Sequence, residues 1–430
     1  WAMDSAGIPP EASFAEAPSR RWLVAFSGGL DSTVLLHWAA QFAATDAAIS
    51  LRALHVHHGL NAAADDWAAH CARIADSLAV PLTVRRVQVD LNGGSGLEAA
   101  ARTARFAAIR EVMQPAETVL FAHHQDDQAE TLLLNLARGS GPDGLSAMPR
   151  QRDLGAGWLY RPLLGLSRAR LEAEAHAMRW SWIDDPSNRD ESLDRNFLRH
   201  RVIPLLRERW PGFSDKAADA ARRIAEITTQ IREDDGPLLD SLTREGGLSV
   251  SALSQLEPAV TARVLRLAMR RAGLPLPGQA VLGQVLRVIQ SGRNDAEHCV
   301  QWGRAEVRRY RDRLFIQHRL PEVASDWTTQ WSGELALQLP SGSGELLSGA
   351  SGSWTVRLAQ PTDVIRQPGR PGKRLAKWCQ ERGIPPWLRL RLPVVLRDEW
   401  ICSIGATCID EQIAPSNLQW NHQLVGVPRV

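Results

Sequence analysis

The sequence predicts an α/β fold, a doubly wound parallel sheet, followed by a helical domain and a small α+β domain at the C-terminus. Three observations support this prediction. Between residue 21 and about residue 125, short β-rich runs alternate with helical patterns, which is typical of a parallel sheet wrapped by helices on both faces. Past about Ser214 the chain changes to long amphipathic helical patterns. The last ~80 residues contain short strand-like runs around a basic helix.

Length and composition bound the class of protein. A chain of 430 residues is too long for one compact domain, and 44% hydrophobic residues suffice for buried cores. No run of about 20 apolar residues occurs, which argues against a membrane span, and the first residues lack the pattern of a secretory signal. Five scattered cysteines without a CxxC pair are typical of a reduced setting. We therefore expect a cytoplasmic protein with no membrane partner.

The elements of the predicted sheet follow in order. Strands are expected at Leu23–Ser27, Ser50–Val56, Leu82–Val89 and Thr118–His123, and helices at Ser32–Ala44, Ala64–Ala79, Gly96–Gln114 and, later, Ser167–Arg179. Ligands bind such sheets at the carboxyl ends of the strands. The polar clusters at those ends are therefore the candidate sites: SGGLDS (27–32), HVHHGL (55–60) and AHHQDDQAET (122–131).

The domain boundaries are predicted from shifts in composition. We expect a flexible N-terminus over residues 1–20, a catalytic domain over 21–214, a helical domain over 215–339 and a small α+β domain over 354–430. The helical domain should contain helices near Asp215–Glu233 and Val260–Ala272 and little strand. The glycine- and serine-rich stretch Pro340–Ser353 predicts the second boundary. Beyond it, strands are expected at Trp354–Leu358, Val394–Leu396 and Trp400–Ile404.

The first cluster has the composition of an anion site. Gly28 and Gly29 permit backbone conformations closed to other residues and leave main-chain N–H groups accessible. The helix behind them contributes its positive end, and Ser27 and Ser32 add hydroxyl donors. Asp31 is an acid where a phosphate would sit, which makes sense if a metal ion lies between them. The alternative is a tight βα turn with Asp31 or Ser32 as the helix N-cap.

The third cluster supplies paired carboxylates. Asp127 and Glu130 are three residues apart and share a helix face. Facing the glycine loop across the sheet, they would bind Mg²⁺ or orient a cationic amine. The alternative is that Asp126 or Asp127 caps the helix and Glu130 is solvated.

Other candidates are weaker. His57 or His58 would touch a base or a phosphate, although a hydrogen-bonded structural histidine fits equally well. On a predicted helix, Arg102 and Arg105 share a face and would present guanidinium forks to a phosphate, whereas Glu98 and Arg102 also form an ordinary i,i+4 pair.

Two further stretches are strongly basic. Arginines accumulate around Asn196, among them Arg195 and Arg199, and some of them must form a solvated helix face. From Arg366 to Arg391, Glu381 is the single acid among basic residues that alternate with tryptophan and proline. Basic residues interleaved with aromatics are typical of nucleic-acid binding. The alternative is a charged helix on a small domain.

Together these motifs resemble the bacterial tRNA(Ile)-lysidine synthetase family, within the larger group of PP-loop ATP pyrophosphatases. The resemblance runs from about residue 20 to the C-terminus. It is carried by SGGLDS, HVHHGL, EAAARTARF (98–106), AHHQDDQAET, GSGPDGLSAM (139–148), RPLL (161–164), DPSN (185–188), RNFLR (195–199) and GIPPWLRLRLPVV (383–395). Phe106 stands where the family usually has tyrosine, and Leu390 where an acid is expected.

The resemblance implies a two-step ligation on the isoleucine tRNA with a CAU anticodon. AMP would pass from ATP to O2 of cytidine 34 with release of pyrophosphate, and the ε-amine of free L-lysine would then attack C2 and expel AMP. The implied cofactors are ATP and Mg²⁺, the implied partners are tRNA(Ile), lysine and ATP, and a homodimer stays open.

The same resemblance assigns residues to roles. Catalysis falls to Asp31, Asp127 and Glu130, with Asp31 on the metal. The remaining assignments are ATP binding by Ser27, Gly28, Gly29, Leu30, Asp31, Ser32 and His57; substrate or phosphate binding by Arg102, Arg105, Arg195, Asn196 and Arg199; and tRNA binding by Arg370, Lys373, Arg374, Lys377, Trp387 and Arg389.

Two other functions compete with this one. A PP-loop tRNA thiolase would share SGGLDS but needs sulfur-handling cysteines, and none lies paired near the loop. A non-catalytic RNA-binding adaptor that has kept a nucleotide fold belongs to a different class. Pyrophosphate release separates the adaptor from an enzyme.

Overall fold

The computed structural model describes residues 10–59, 61–89, 97–244, 246–291, 298–366, 371–422 and 424. Several predicted positions lie outside these residues, namely Leu60, Gly96, Arg370 and residues 1–9 of the predicted N-terminal segment. The chain divides into two compact units, Trp1–Gln230 and Ile231–Val430.

The first unit contains one sheet and its covering helices. Its strands are β1 (Arg21–Ala25), β2 (Ser50–His57), β3 (Leu82–Arg86), β4 (Thr118–Leu120), β5 (Gln151–Leu154) and β6 (Gly157–Tyr160). Its helices are α1 (Pro10–Ala15), α2 (Leu30–Thr45), α3 (Ala64–Ser77), α4 (Leu97–Val112), α5 (Gln125–Ala137), α6 (Pro142–Leu145), α7 (Arg168–Ala177), α8 (Asp194–Phe197) and α9 (Ile203–Arg209). A 3₁₀ turn lies at Pro186–Arg189, and a π-helical turn at Leu198–Val202 joins α8 to α9.

The sheet has the strand order β3-β2-β1-β4-β6-β5, parallel except for the antiparallel edge strand β5. The order reverses between β1 and β4, because the chain adds β2 and β3 on one side of β1 and then crosses to the other side. In open α/β sheets, ligands bind outside the carboxyl ends of the strands at such a reversal. The doubly wound parallel sheet predicted from the sequence is confirmed.

Apolar side chains fill both faces of this sheet. On one face, Val24 and Leu120 pack with Val34, Leu35 and Leu171 from α2 and α7. On the other face, a second cluster joins the sheet to α4, and its members are Leu23, Leu54, Ile109, Met113, Val119, Phe121, Leu154 and Leu159. Burial on both faces explains why the central strands β1 and β4 have continuous buried runs rather than alternating patterns.

The segment that we expected to be flexible is ordered where the structure describes it. α1 lies within residues 1–20. Its Phe14 is buried, and the centre of the Phe14 ring is 5.7 Å from the centre of the Trp22 ring and 5.8 Å from that of Phe42. The Ser13 hydroxyl donates to the Pro162 carbonyl (2.8 Å) and the Tyr160 hydroxyl donates to the Ser13 carbonyl (2.8 Å). Aromatic burial and these bonds tie α1 to the sheet, and local composition does not reveal such contacts.

A long helix, α10 (Phe213–Leu242), precedes the helices and strands of the second unit. The later helices are α11 (Val250–Ser254), α12 (Pro258–Arg271), α13 (Gln279–Gln290), α14 (Leu375–Glu381) and α15 (Pro386–Arg389). The strands are β7 (Thr243–Arg244), β8 (Gly247–Ser249), β9 (His298–Trp302), β10 (Ala305–Tyr310), β11 (Arg313–His318), β12 (Thr328–Trp331), β13 (Leu337–Gln338), β14 (Glu345–Leu347), β15 (Trp354–Leu358), β16 (Val364–Ile365), β17 (Lys373–Arg374), β18 (Pro393–Arg397), β19 (Trp400–Ile404), β20 (Thr407–Cys408) and β21 (Gln419–Asn421).

The structure differs from our expectation of little strand after Ser214. The expected helices are present as α10 and α12, but β7 to β11 form an antiparallel sheet in the order β7-β8-β11-β10-β9. α12 and α13 pack on its apolar side through Val264, Leu282 and Val307. β7 and β8 are two and three residues long. The longer β10 carries the buried Arg309 on the same face as Val307, so the apolar alternation is weak in the sequence.

The expected boundary at Pro340–Ser353 is crossed by strand pairing. β12 precedes this stretch and pairs with β15 after it, and β14 lies inside it and pairs with β13 and β21. Glycines there serve tight turns such as Gly344, whose φ is +90°. The C-terminal sheets therefore begin before residue 340. Among the described residues, the helices include none with the length and apolar content that crossing a membrane requires.

Candidate active site

The loop between β1 and α2 is held in shape by its two serines. The Ser27 and Ser32 hydroxyls are 3.0 Å apart, and the Gly28 N–H donates to Ser32 Oγ at 3.1 Å. α2 begins at Leu30 after Gly29, which provides no side-chain cap. The predicted alternative of an Asp31 or Ser32 N-cap is therefore wrong. An uncapped helix N-terminus leaves its first-turn N–H groups for an anion.

Position 28 requires glycine for two reasons, the backbone conformation and the lack of space for a side chain. Its φ is +86°, and a Cβ there would lie 2.5 Å from Ile183 Cδ1 and 2.7 Å from Cys71 Sγ. The Ile183 N–H donates to the Gly28 carbonyl at 2.9 Å, which fastens the loop from a distant segment. Residues with a side chain rarely adopt this φ.

The carboxylate block follows β4 and starts α5. Asp127 Oδ2 accepts a hydrogen bond from the His124 N–H at 3.0 Å. Asp127 thus contributes a capping-box contact from the third position of α5, while the N-cap residue itself is His124 and not one of the two predicted aspartates. The alternative of a solvated Glu130 is wrong, because its side chain is 1% exposed. Asp126 Oδ2 accepts from the Arg168 N–H at 2.8 Å and its other oxygen pairs with Arg207.

The two blocks meet through a buried histidine. His124 Nε2 lies 3.6 Å from Asp31 Oδ2 and 3.5 Å from Asp127 Oδ2, and the His124 side chain is 1% exposed. Asp31, which is partly exposed, also lies 3.6 Å from the Arg168 guanidinium. The end of β1 and the end of β4 thus form one charged edge at the strand-order reversal, as the sequence predicted.

Arg199 neutralises the two carboxylates assigned to catalysis. Its guanidinium donates to both oxygens of Glu130 (2.6 and 3.0 Å) and to Asp127 Oδ1 (3.1 Å). Arg195 lies 3.9 Å from Glu130 Oε2 and donates to Thr131 Oγ1 at 2.8 Å. Arg199 belongs to the π-helical turn, a rare geometry that is frequent at functional sites.

The pKa values of His124, Asp127 and Glu130 are set by two opposing effects, burial and the charges of neighbouring groups. Burial lowers the pKa of His124, but Asp127 and Asp31 outweigh it and leave that pKa raised above its usual value. For Asp127, burial is outweighed by His124 and His123, so its pKa is lowered. Burial dominates at Glu130, whose pKa is raised despite the bond from Arg199. Asp127 is therefore the firmer anion and Glu130 the carboxylate that protonates more readily.

A metal ion would find few protein ligands here. Within the described residues there is no group of three or more His, Cys, Asp or Glu side chains with the geometry to hold a metal. Asp31 Oδ1, however, is buried without a hydrogen-bond partner in that part of the chain. Mg²⁺ commonly takes one or two carboxylates and completes its shell with water and substrate phosphates. Asp31 fits this type of site.

A cavity of about 460 Å³ opens beside the carboxylates. Asp126, Glu130, Arg168, Arg199 and Arg207 line it, together with the N-terminal residues of α10. Its volume lies within the range of about 300–1,000 Å³ usual for ligand pockets. Both signs of charge occur on its wall, which suits a zwitterionic ligand.

The predicted histidine and arginine sites are placed differently. His57 is buried with Nε2 at 3.2 Å from Asp65, the structural alternative that we had kept open, and no contact described here joins it to the loop. Asn196 is occupied locally, since its Nδ2 donates to the Ser187 and Asp190 carbonyls (3.0 and 2.9 Å). Arg102 and Arg105 are exposed on α4.

The basic residues of the C-terminal part surround α14 and α15 in the second unit. Lys373 Nζ pairs with Glu381 (2.7 Å), Arg374 and Lys377 are exposed, and Arg389 donates to the Ile384 carbonyl at 3.2 Å. Trp387 packs edge-on against Phe315 and lies under the Arg308 guanidinium. Arg370 lies outside the described residues.

Three residues of the site were missed from the sequence. His124 stood inside a motif that we had singled out, and its position after a buried strand was an available signal. Arg168 follows Ser167, which caps α7, but nothing local connects it to Asp31. Ile183 carries no sequence signal at all, because a main-chain hydrogen bond to Gly28 is independent of its side chain.

Three protein-family models match parts of this chain. A PP-loop domain matches residues 10–206, a TilS substrate binding domain matches residues 248–315, and a TilS substrate C-terminal domain matches residues 354–424. The loop and carboxylate edge lie within the first match, and the basic helices α14 and α15 within the third.

Curated relatives match along nearly the whole chain. The tRNA(Ile)-lysidine synthase of Xanthomonas axonopodis pv. citri (strain 306) is 44% identical over 414 residues, which are 93% of this chain and 92% of that protein. The enzymes of the same name from Serratia proteamaculans (strain 568) and Shigella flexneri are 42% and 39% identical over 409 and 410 residues, covering 91% and 92% of this chain and 92% and 93% of theirs. Since this similarity extends through both units and includes the loop and carboxylate edge, the chain belongs to the tRNA(Ile)-lysidine synthase family.

Proposed function

We propose that this chain is an ATP-dependent ligase that joins the ε-amine of free L-lysine to C2 of cytidine 34 in tRNA(Ile) with a CAU anticodon. The names of its relatives support the tRNA and the product. The observation that carries the chemistry is the approach of Asp31 to Asp127 through His124, at 3.6 and 3.5 Å. This contact brings a phosphate-binding loop and a carboxylate pair to one edge.

In the first step, O2 of the cytosine bonds to the α-phosphorus of ATP, and the bond from that phosphorus to the departing pyrophosphate breaks. The uncapped start of α2 and the hydroxyls of Ser27 and Ser32 stabilise the negative charge on the pyrophosphate. Asp31 would hold Mg²⁺, which when bound neutralises phosphate charge. His124 and Arg168 keep Asp31 in place.

In the second step, the lysine nitrogen bonds to C2 and the bond from C2 to the AMP oxygen breaks. Lysine must arrive as a cation and lose a proton before it attacks. We assign Asp127 and Glu130 to the ammonium group, and the adjacent cavity to the amino acid. The raised pKa of Glu130 suits proton transfer better than that of Asp127.

Recognition of the tRNA falls to the basic surfaces. We propose that Arg370, Lys373, Arg374, Lys377, Trp387 and Arg389 contact tRNA(Ile), since phosphate contacts position an RNA and a few base contacts specify it. The exposed Arg374 and Lys377 support this assignment better than the packed Trp387. A homodimer stays a prediction.

The test is incorporation of radiolabelled lysine by the purified chain into a tRNA(Ile) transcript with a CAU anticodon. We expect label that depends on ATP and disappears when cytidine 34 is replaced by uridine. Absence of label in the unchanged transcript would contradict the proposal. Asp31→Asn should abolish pyrophosphate release from the same mixture, whereas an RNA-binding adaptor releases none with or without the substitution.

A further inference from the structure

An aromatic ring on α4 is surrounded by three arginines. The guanidinium carbons of Arg102, Arg110 and Arg152 lie 5.3, 6.0 and 5.1 Å from the centre of the Phe106 ring. We call these four residues the Phe106 cluster. Arg102, Phe106 and Arg110 are spaced four residues apart and therefore share one helix face. Arg152 comes from β5, where it pairs with Leu159, whose side chain belongs to the core under α4.

Two of the three arginines, Arg110 and Arg152, have no carboxylate partner among the described residues. Within the described part of the chain, neither Arg110 nor Arg152 makes an ion pair or side-chain hydrogen bond beyond the ring contact. Asp153 is adjacent in sequence, but successive strand residues point to opposite faces. Glu111 is bound by Arg85 at 2.6 Å. Burial, and after it the nearby charges of Arg102 and Arg110, lower the pKa of Arg152.

Stacked rings and the buried Arg161 connect the cluster to the active-site edge. The Phe106 ring stacks on Phe121 (5.7 Å, 17°), and Phe121 stacks on His123 (5.6 Å, 7°). The buried Arg161 donates to His123 Nδ1 at 3.1 Å, and burial followed by Arg152 and Arg102 lowers the pKa of Arg161 to about 10. His123 precedes His124, so these contacts connect the cluster to the residues of the active-site edge.

We propose that Arg102, Arg110 and Arg152, arrayed around Phe106, bind backbone phosphates of the substrate tRNA next to the modified nucleotide. This inference rests on the proposed function for the identity of the RNA. Guanidinium forks match phosphate oxygens in geometry, and all three arginines are exposed. A bound phosphate would reduce the repulsion among the three guanidinium groups. The Phe106 ring, which contacts all three, would keep them close together.

ATP carries the same phosphate chemistry, and the experiment separates the two sources. The full chain and an Arg110→Gln/Arg152→Gln variant are compared for tRNA(Ile) binding across a salt series and for ATP binding without tRNA. Each phosphate contact contributes about 0.7–0.9 to the slope of log affinity against log salt. The double variant should lose about 1.4–1.8 from that slope and keep the ATP affinity of the unchanged chain. Arg179→Gln, which also removes an exposed arginine, is the control.

The ring is tested with a second pair of variants. Phe106→Tyr keeps the ring and should retain the full salt slope, whereas Phe106→Leu should lower it, with thermal unfolding confirming that both fold. An unchanged slope in the arginine double variant, or a loss confined to ATP binding, would overturn the inference. Lysine incorporation is measured in parallel. If lysine is incorporated normally but the salt slope of the double variant is unchanged, the proposed function holds and the phosphate site is contradicted. If the slope is lowered but the unchanged chain incorporates no lysine, the phosphate site holds and the proposed function is contradicted.

Discussion

The buried imidazole of His124 lies 3.6 Å from Asp31, a residue of the loop after β1. This relationship joins the first strand of the sheet to the fourth strand in chain order, at the point where the strand order reverses. The Asp31 side chain is therefore oriented from outside its own loop, by His124 after β4 and by Arg168 of α7.

Replacing His124 by alanine removes a contact that orients the Asp31 carboxylate, and it should therefore weaken the binding of Mg²⁺ by Asp31. Residues that orient a metal ligand typically contribute about 10–100-fold to metal affinity or activity. We expect His124→Ala to raise the Mg²⁺ concentration needed for half-maximal pyrophosphate release by a factor in that range. A magnesium titration of the release rate measures this. His200→Ala, at an exposed histidine, is the control, and equal titrations for the two variants would contradict the prediction.

Gly28→Ala should damage both stability and activity. The added methyl group would meet Ile183 and Cys71 at a backbone φ of +86°. Strain of this kind costs about 1–3 kcal/mol, and it falls on the loop that we propose binds phosphate. Urea unfolding and pyrophosphate release are the measurements. Gly165→Ala should be nearly silent, since a Cβ there meets nothing within 4 Å. Equal free energies of unfolding for the two variants would contradict the prediction, because they would mean that the loop around Gly28 accommodates the methyl group without strain.

Arg199→Lys should show that the guanidinium fork matters as well as its charge. Lysine cannot donate to both oxygens of Glu130 in the fork geometry, and a buried acceptor left without its partner costs about 1–3 kcal/mol. We expect that loss in urea unfolding and a raised KM for lysine. Arg201→Lys is the matched control, because its pair with Glu191 is exposed and such pairs contribute little. Equal effects at the two positions would contradict the role of the buried fork.

Glu306→Gln should produce a pH-dependent loss of stability in the second unit. Burial would raise the pKa of Glu306, but hydrogen bonds from Arg308 and Gln317 outweigh it and hold that pKa below its ordinary value of 4.5. A depressed folded-state pKa stabilises the protein above the unfolded pKa, and the contribution is lost as the pH falls through the folded value. The variant should therefore be less stable than the unchanged chain at neutral pH and approach it in acid.

Urea midpoints at neutral pH and at successive values below pH 4.5 test this. Glu322→Gln, at an exposed glutamate, controls for the removal of one negative charge and should show no such convergence. A constant gap between Glu306→Gln and the unchanged chain at all pH values would contradict the prediction, because it would mean that the lost stability does not depend on ionisation.

The sheet and the meeting of its strand ends were predictable because both depend on local patterns. Alternating strand and helix signals restrict the topology, and the carboxyl ends of parallel strands share an edge, so Asp31 and Asp127 had to be neighbours. By contrast, His57 was predictable only as a strand-end histidine. Its pairing with Asp65 depends on where α3 begins relative to β2. The sheet of β7 to β11 was missed because short strands leave weak periodic signals.

The fold class, the glycine loop after β1 and the carboxylate pair after β4 could be predicted from the sequence, since turn glycines, helix starts and strand periodicity act over a few residues. The folded chain alone shows that Arg199 pairs with Glu130, that the Ile183 N–H bonds to Gly28 and that Arg152 reaches Phe106. Arg199 is 69 residues from Glu130 in the chain; Ile183 is farther still from Gly28, and Arg152 comes from a different element than Phe106. Contacts of this kind are selected by packing and electrostatics across the folded chain, and no local pattern encodes them.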